Sequence, residues 1–407
     1  MRLINRKINK YFLEKRFFTF KKNFSFLKKI INDTYAEINL STLRKNFEAI
    51  KKYAGRNSDK GKKICSIVKA NAYGHGMNEI AKALLDYGTD YLGTANYSES
   101  IELHDYFKKN TKKQFSLLCL GILTENGKFF EEIIKRKIEV TVSDIKIAGY
   151  LNDYAKGFNK KINIQIKADT GMNRIGFPAD SLKEAVRKLK TFGNLNIKGI
   201  FSHFAESENA KSGFSLKQIA LFKQLIKESE DSGFKFELKH ICNTGGILNF
   251  NDPEFNMVRP GISLYGYYPE IGRPKKEIGI SPVMTLKSKV SQLKTVDKNV
   301  SISYGRKYIT KRKTRIASIP VGYGDGYPRL LTGKSKILIN KKFYKVSGTI
   351  CMDWILSDVG KESSVSVNDE VILFGRDLPA DEPARLCGMI PYEILCGVSS
   401  RVQRVYV

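Results

Sequence analysis

Lys63-Ile64-Cys65-Ser66-Ile67-Val68-Lys69-Ala70-Asn71-Ala72-Tyr73-Gly74-His75-Gly76 passes without a spacer from a short apolar segment into a polar turn closed by glycines. The apolar part is too short for a helix of its own and reads as a buried strand, Lys63–Val68. Lys69 then stands at the C-terminal end of that strand. Seven further strand-like runs follow at Tyr91–Thr94, Phe115–Leu120, Glu139–Val142, Ile162–Ala168, Ile197–Phe201, Glu237–Cys242 and Phe255–Gly261. Amphipathic stretches separate them, among them Asn78–Asp86, Leu182–Lys190 and Leu216–Ser229, the last with Ile219, Phe222 and Ile226 on one face. Eight strands alternating with helices predict a TIM-like (β/α)8 barrel, an α/β fold whose chemistry gathers at the C-terminal mouth of the strands.

After about residue 268 the pattern changes to short alternating segments, Thr285–Thr295, Arg315–Val321, Ser335–Ile339 and Glu370–Phe374, separated by Gly and charged turns. These predict a mostly-β C-terminal domain. The expected organisation is a basic N-terminal extension over 1–33, the barrel over 34–267 and the β-rich domain over 268–407. The strand at 34–40 is expected to pack with the C-terminal domain.

Charge is the most conspicuous bulk property of the 407 residues: 70 Lys and Arg against 41 Asp and Glu leave +29. Such a balance raises the question of nucleic acid or anionic membrane. The first 33 residues hold ten Lys or Arg and two acids. They read as a basic surface or targeting helix, a nucleic-acid arm or an extension without function. They lack the apolar run of a secretory signal. Elsewhere the chain is rich in Lys, Asn, Ile and Phe, a compositional background that raises charge without selecting a partner. No nucleic-acid motif appears and no window is apolar enough to span a bilayer, so neither nucleic acid nor membrane is expected as a partner. Six scattered cysteines with no CxxC pair fit a reduced, cytoplasmic protein. Four histidines argue against a multi-histidine metal centre, and no metal is expected.

The informative cations sit at strand ends. Lys69 at the mouth is placed to lose its proton and form a Schiff base once partly desolvated. Tyr73 lies four residues on. The next polar run is Lys167-Ala168-Asp169-Thr170-Gly171-Met172-Asn173-Arg174, where Arg174 offers a fork suited to a carboxylate. Then come Ser202-His203-Phe204, whose lone strand-end histidine reads as structural, and Cys242-Asn243-Thr244-Gly245-Gly246 and Arg259-Pro260-Gly261-Ile262, in which exposed amides and hydroxyls suit a phosphate. The second domain contributes Ser303-Tyr304-Gly305, Cys351-Met352-Asp353 and Pro391-Tyr392-Glu393. Each motif alone is bland; the convergence of the barrel motifs on one mouth is not.

Together these motifs resemble the alanine racemase family, from about Tyr35 to Arg404. The resemblance implies pyridoxal 5′-phosphate as cofactor, held covalently by Lys69. Tyr73, Asn243, Thr244, the Gly261 and Ile262 amides, and Tyr392 would surround its phosphate, with Arg259 opposite the pyridine nitrogen. Tyr304 would be the second catalytic base, supplied by the other subunit of a homodimer with shared active sites, and His203 would hydrogen-bond it. Arg174 and the backbone at Met352 would grip the substrate carboxylate. Lys167 matches a position carbamylated in some members.

The implied activity is interconversion of L-alanine and D-alanine by two bases, one on each face of Cα, supplying D-alanine for peptidoglycan. The alternative is a broader racemase acting on serine or lysine. Decarboxylases of the same architecture place an acid where this chain has Arg259, and single-barrel cofactor carriers lack the β domain. The chain departs from the family pattern at Thr244-Gly245 (commonly Ser-Ala), Asn173 (often Gly), Thr349 (often Arg), Ser400 (often Tyr) and Gln403 (often Pro). None of these is expected to touch a catalytic position.

Overall fold

The computed structural model describes residues 32–58, 61–125, 127–269 and 278–407. Most of the expected basic extension lies outside the described residues. Two compact units emerge. One comprises Asn39–Val283 with Met389–Cys396; the other takes the residues up to Ile38, Met284–Gly388 and Gly397–Val407.

The strands are β1 (Tyr35–Ile38), β2 (Lys63–Ile67), β3 (Tyr91–Thr94), β4 (Leu117–Ile122), β5 (Glu139–Val142), β6 (Ile162–Lys167), β7 (Leu195–Phe201), β8 (Leu238–His240) and β9 (Met257–Val258). In the first unit β2 to β9 form one eight-stranded sheet in the order β8-β7-β6-β5-β4-β3-β2-β9, parallel throughout. Backbone bonds from Asn256 N to Lys239 O (3.1 Å) and from Arg259 N to Cys242 O (2.8 Å) join its two ends, so the sheet is a nearly closed barrel, as the eight apolar runs predict. Those runs are continuous because both faces of a barrel strand are covered. Cys65, Leu118, Val140, Ile164, Ile166 and Ile200 are all fully buried.

The helices between the strands start where the sequence supplies caps. They include α1 (Leu40–Gly55), α2 (Met77–Asp86), α3 (Tyr97–Asn110), α4 (Gly127–Arg136), α5 (Ile145–Gly157), α6 (Leu182–Lys190), α7 (Gly213–Asp231) and α8 (Thr244–Asn249). Side-chain oxygens of Asn39, Asn96, Asp144 and Ser212 accept amides of the first turns of α1, α3, α5 and α7 at 2.7–3.0 Å. Such caps satisfy donors that the helix itself cannot. The buried face of α7 is more polar than the apolar stripe, with Ser215 and Ser229 buried as well. Phe222 and Ile226 face inward, Ile219 is half-buried, and the polar Gln218 is buried in its place.

The second unit is mostly β. Its strands are β10 (Met284–Lys289), β11 (Gln292–Val296), β12 (Ser301–Ile302), β13 (Tyr308–Ile309), β14 (Thr314–Ile319), β15 (Lys336–Ile339), β16 (Lys342–Lys345), β17 (Ile355–Asp358), β18 (Glu370–Phe374) and β19 (Gln403–Tyr406). They make a six-stranded sheet, β16-β15-β18-β10-β1-β19, a three-stranded sheet, β11-β14-β17, and the β12-β13 pair. The run Thr285–Thr295 reads as one alternating segment, but the chain breaks at Val290, and β10 and β11 serve different sheets. Val290 is fully buried and its amide is bonded to Asp369 O at 2.9 Å, which pins the break.

Candidate active site

Beyond β2 the chain does something unusual. Ala70, Asn71, Ala72 and Tyr73 all have φ near +52 to +53°, so Lys69 opens a left-handed helical turn built of non-glycine residues. That conformation costs L-residues roughly 1–2 kcal/mol each, so the surroundings must hold it in place. Internal bonds run from Ala72 N to Val68 O (2.8 Å), from Gly74 N to Ala70 O (3.0 Å) and from Gly76 N to Asn71 O (2.9 Å). The Asn71 side chain accepts from Met77 N at 2.8 Å, tying the turn to the start of α2. Gly74 ends it at φ +81°, and a Cβ there would lie 2.1 Å from Leu395 O. The Gly at that position is therefore demanded both by hand and by space.

Lys69 projects into a cavity of about 510 Å³ within the first unit. The cavity is lined by Tyr73, Lys167, Arg174, His203, Asn243, Thr244, Arg259, Gly261, Ile262 and Tyr392, together with apolar residues such as Ile67, Leu120 and Ile122. Four of the lining side chains are cationic and none is a carboxylate. Burial, then the Arg174 cation, lowers the Lys69 amine below the ordinary lysine range; Glu99 and Cys396 oppose that shift and Arg259 adds to it. Lys167 is buried at the end of β6, its Nζ donating to Ala168 O at 2.6 Å. Burial and Arg259 bring it down to about 8.

Arg259 is 3% exposed and fixed on several sides. Its Nη2 donates to Ser202 O (2.7 Å), Ile241 O (3.1 Å) and His203 Nδ1 (3.2 Å), and its Nη1 donates to His240 Nδ1. A guanidinium has no acceptor, so both imidazoles accept at Nδ1. Burial first, then Arg259, holds both histidines well below the ordinary imidazole value, so they are neutral with the proton on Nε2. His240 Nε2 then donates to Gln165 Oε1 at 2.5 Å, and Gln165 Nε2 donates to the buried Glu139 carboxylate.

Tyr73, Tyr392, Thr244 and Gly261 form a polar cup. The Tyr73 and Tyr392 rings are 5.8 Å apart, a Cβ on Gly261 would lie 2.6 Å from the Tyr73 hydroxyl, and Gly261 N donates to Thr244 Oγ1 at 3.2 Å. Burial pushes both phenols up, so they keep their protons and can donate. Asn243 lines the same cavity, but its Oδ1 caps α8 by accepting from Gly246 N at 2.9 Å. The Arg174 loop is braced from within: Asp169 Oδ1 accepts from Gly171 N (2.9 Å) and Asn173 N (3.1 Å). Gln218, missed by the sequence reading, donates to both Thr170 Oγ1 and His203 O and accepts from Ala205 N, clamping two strand-end loops together.

The second unit carries Tyr304 and Met352, 72% and 51% exposed. Ser303, at φ +65°, and Thr349 fix the tyrosine's backbone: Ser303 Oγ donates to Thr349 O (2.6 Å), and Thr349 Oγ1 donates to Tyr304 O (2.7 Å). Thr349 was read as a departure away from catalytic positions, yet it directly supports the backbone of the tyrosine that the resemblance assigns to catalysis. Two other departures acquire reasons. Asn173 adopts φ +54°, the hand a glycine takes freely and Asn tolerates. At Gly245 a Cβ would lie 2.4 Å from Ser207 Oγ and 2.8 Å from the Ser207 carbonyl carbon, so alanine does not fit. Among the described residues no cluster suited to a metal ion occurs, and no helix is long and apolar enough to cross a membrane.

Both units of the chain match known proteins. Residues 38–269 match the model of the alanine racemase N-terminal domain, and residues 283–406 that of the C-terminal domain. Alanine racemase 2 of Caldanaerobacter subterraneus subsp. tengcongensis is 38% identical over 350 residues, covering 85% of this chain and 88% of that protein. The alanine racemase of Clostridium difficile 630 superposes with a TM-score of 0.85 at 38% identity, covering 93% of this chain and 97% of that one. The Bartonella henselae alanine racemase, solved with covalently bound pyridoxal phosphate, gives a TM-score of 0.80 at 26% identity, covering 92% and 99%.

Proposed function

The chain belongs to the alanine racemase family, and from that premise we propose that it interconverts L-alanine and D-alanine with pyridoxal 5′-phosphate held in the barrel cavity. The observation that carries this reading is the Lys69 amine, lowered in proton affinity, facing a cavity with four cations and no carboxylate. An anionic aromatic aldehyde fits such walls. Two protonated phenols, the Thr244 hydroxyl and the Gly261 and Ile262 amides would hold its phosphate, Arg259 would face its ring nitrogen, and Lys69 would bind its aldehyde. When bound, the cofactor supplies an electron-withdrawing ring that stabilises negative charge at the substrate Cα.

The chain's own residues would do the rest. Lys69 Nζ would take or return the α-proton on the face used by D-alanine, and the Tyr304 hydroxyl would do so on the other. Arg174 and the amide at Met352 would hold the carboxylate and so fix which bond at Cα is labile. Arg259, lowered by burial only to about 10, keeps its protons at neutral pH and passes none to the ring. Tyr304 is too exposed in its own unit to act in a water-excluded site, which supports a homodimer in which each barrel receives the tyrosine of the other subunit. The Lys167 amine, at about 8, has enough neutral fraction near pH 7 to combine with carbon dioxide, forming an N–C bond and releasing one proton. A cytoplasmic supply of D-alanine for peptidoglycan is the role that follows.

Lys69→Ala tests the assignment: racemisation of L-alanine and the absorbance of covalently bound cofactor should both disappear. Retained absorbance with retained turnover would refute it. L-serine and L-lysine in the same assay decide substrate breadth.

A further inference from the structure

The left-handed turn that carries Lys69 has an open end. Its first recurring backbone bond starts at Ala72 N, so the Ala70 amide has no acceptor within the turn. That amide instead donates to Glu99 Oε1 at 2.8 Å. The other oxygen, Oε2, accepts from Ala95 N, also at 2.8 Å. Ala70 follows β2 and Ala95 follows β3, and these strands are neighbours in the barrel. One carboxylate therefore bridges the mouth ends of two adjacent strands, using an oxygen for each.

Glu99 is itself rigidly based. It lies in the first turn of α3, where its amide is capped by Asn96 Oδ1 at 2.9 Å. In an ordinary capping box a glutamate at this position would fold back to the cap residue's own amide. Here it reaches one residue earlier, to Ala95, and across to the next strand. Its charge also bears on the lysine. Glu99 and Cys396 favour the protonated amine of Lys69, against Arg174 and Arg259.

We propose that Glu99 is a positioning residue for Lys69: its carboxylate locks the strained turn and so fixes the direction from which the amine enters the cavity. This rests on the reading of Lys69 in the proposed function and deepens it. Its side chain is not among those lining the cavity; it acts through the backbone of Ala70.

Glu99→Gln keeps the size but has one acceptor oxygen, so its amide nitrogen must face one of the two backbone N–H groups. In the holoenzyme, kcat for alanine should fall about ten- to a hundred-fold while KM changes little. Hydrogen exchange of residues 69–76 should rise, while exchange in peptides distant from the turn stays unchanged. Glu102→Gln, on the exposed side of the same helix, should match the parent. Should Glu99→Gln not fold, Glu99→Ala with added formate decides. A concentration-dependent recovery of kcat supports the inference, and none overturns it. Parental kcat and parental exchange in Glu99→Gln, with Lys69→Ala inactive, overturn the inference but leave the Lys69 reading standing. An active Lys69→Ala overturns the Lys69 reading itself.

Discussion

Ala70→Gly should make the protein more stable, opposite to the usual effect of that substitution in a helix. Ala70 is exposed, so losing its methyl group sacrifices no burial, and its φ is +52°. An L-residue there bears roughly 1–2 kcal/mol of strain, which glycine does not. Glycine in turn costs about 0.4–1 kcal/mol by loosening the unfolded chain. The difference is a gain of about 0.5–1 kcal/mol, or about 1–3 °C in the unfolding midpoint of a unit this size. Ala220 is the matched control: it is also exposed, but lies inside the right-handed α7. There Ala220→Gly should lose about 1 kcal/mol. Because the chain has two compact units, the comparison is of midpoints for the barrel transition in urea or heat. A lower midpoint for Ala70→Gly, equal in size to that of Ala220→Gly, would refute the claim that the Lys69 turn stores strain.

Three further outcomes follow from the same geometry. Tyr304→Phe should lower racemisation about 10²- to 10⁴-fold. The two directions must fall equally in kcat/KM, because the enantiomers are equal in energy. Deuterium uptake at Cα should persist from D-alanine and vanish from L-alanine, and equal loss from both would contradict two separate bases. Gly245→Ala should cost about 1–3 kcal/mol, because the new methyl meets Ser207 backbone at 2.8 Å; an unchanged urea midpoint would refute this. His240 is fully buried and its imidazole is held well below the usual value, so below pH 6.5 the unfolded chain takes a proton that the native one does not. Stability should therefore fall with acidification, His240 contributing about 1 kcal/mol between pH 6.5 and 5.5. His240→Gln should be less sensitive to that interval by this amount; an identical slope counts against a neutral buried imidazole.

The strand runs were readable because barrel strands are covered on both faces, which leaves a local apolar signature in the sequence. The cations at their ends were readable because the fold puts every strand's C-terminus at one mouth. The supports of those cations were not. The pattern Asn96-Tyr97-Ser98-Glu99 signals only a helix start, and nothing local reveals that the carboxylate serves a turn 29 residues earlier. Thr349 looked like a neutral departure until its hydroxyl was found on the Tyr304 carbonyl, 45 residues away. Gln218 lies four residues before Phe222, so periodicity puts it on the buried face, but nothing local reveals which loops its amide joins.

The amino-acid sequence by itself determined the order of elements, the family and the polar side chains that line the mouth. These depend on short-range pattern and residue type, which the chain carries wherever it folds. Tertiary structure alone decided the proton affinity of those groups and the backbone conformation that aims them. Lys69 loses proton affinity because burial and Arg174 act on it, the histidines are neutral because they are buried and face a guanidinium, and the left-handed turn is held at Ala70 by a carboxylate from the next helix. Each of these is a property of neighbours brought together in space, and no spacing along the chain encodes it.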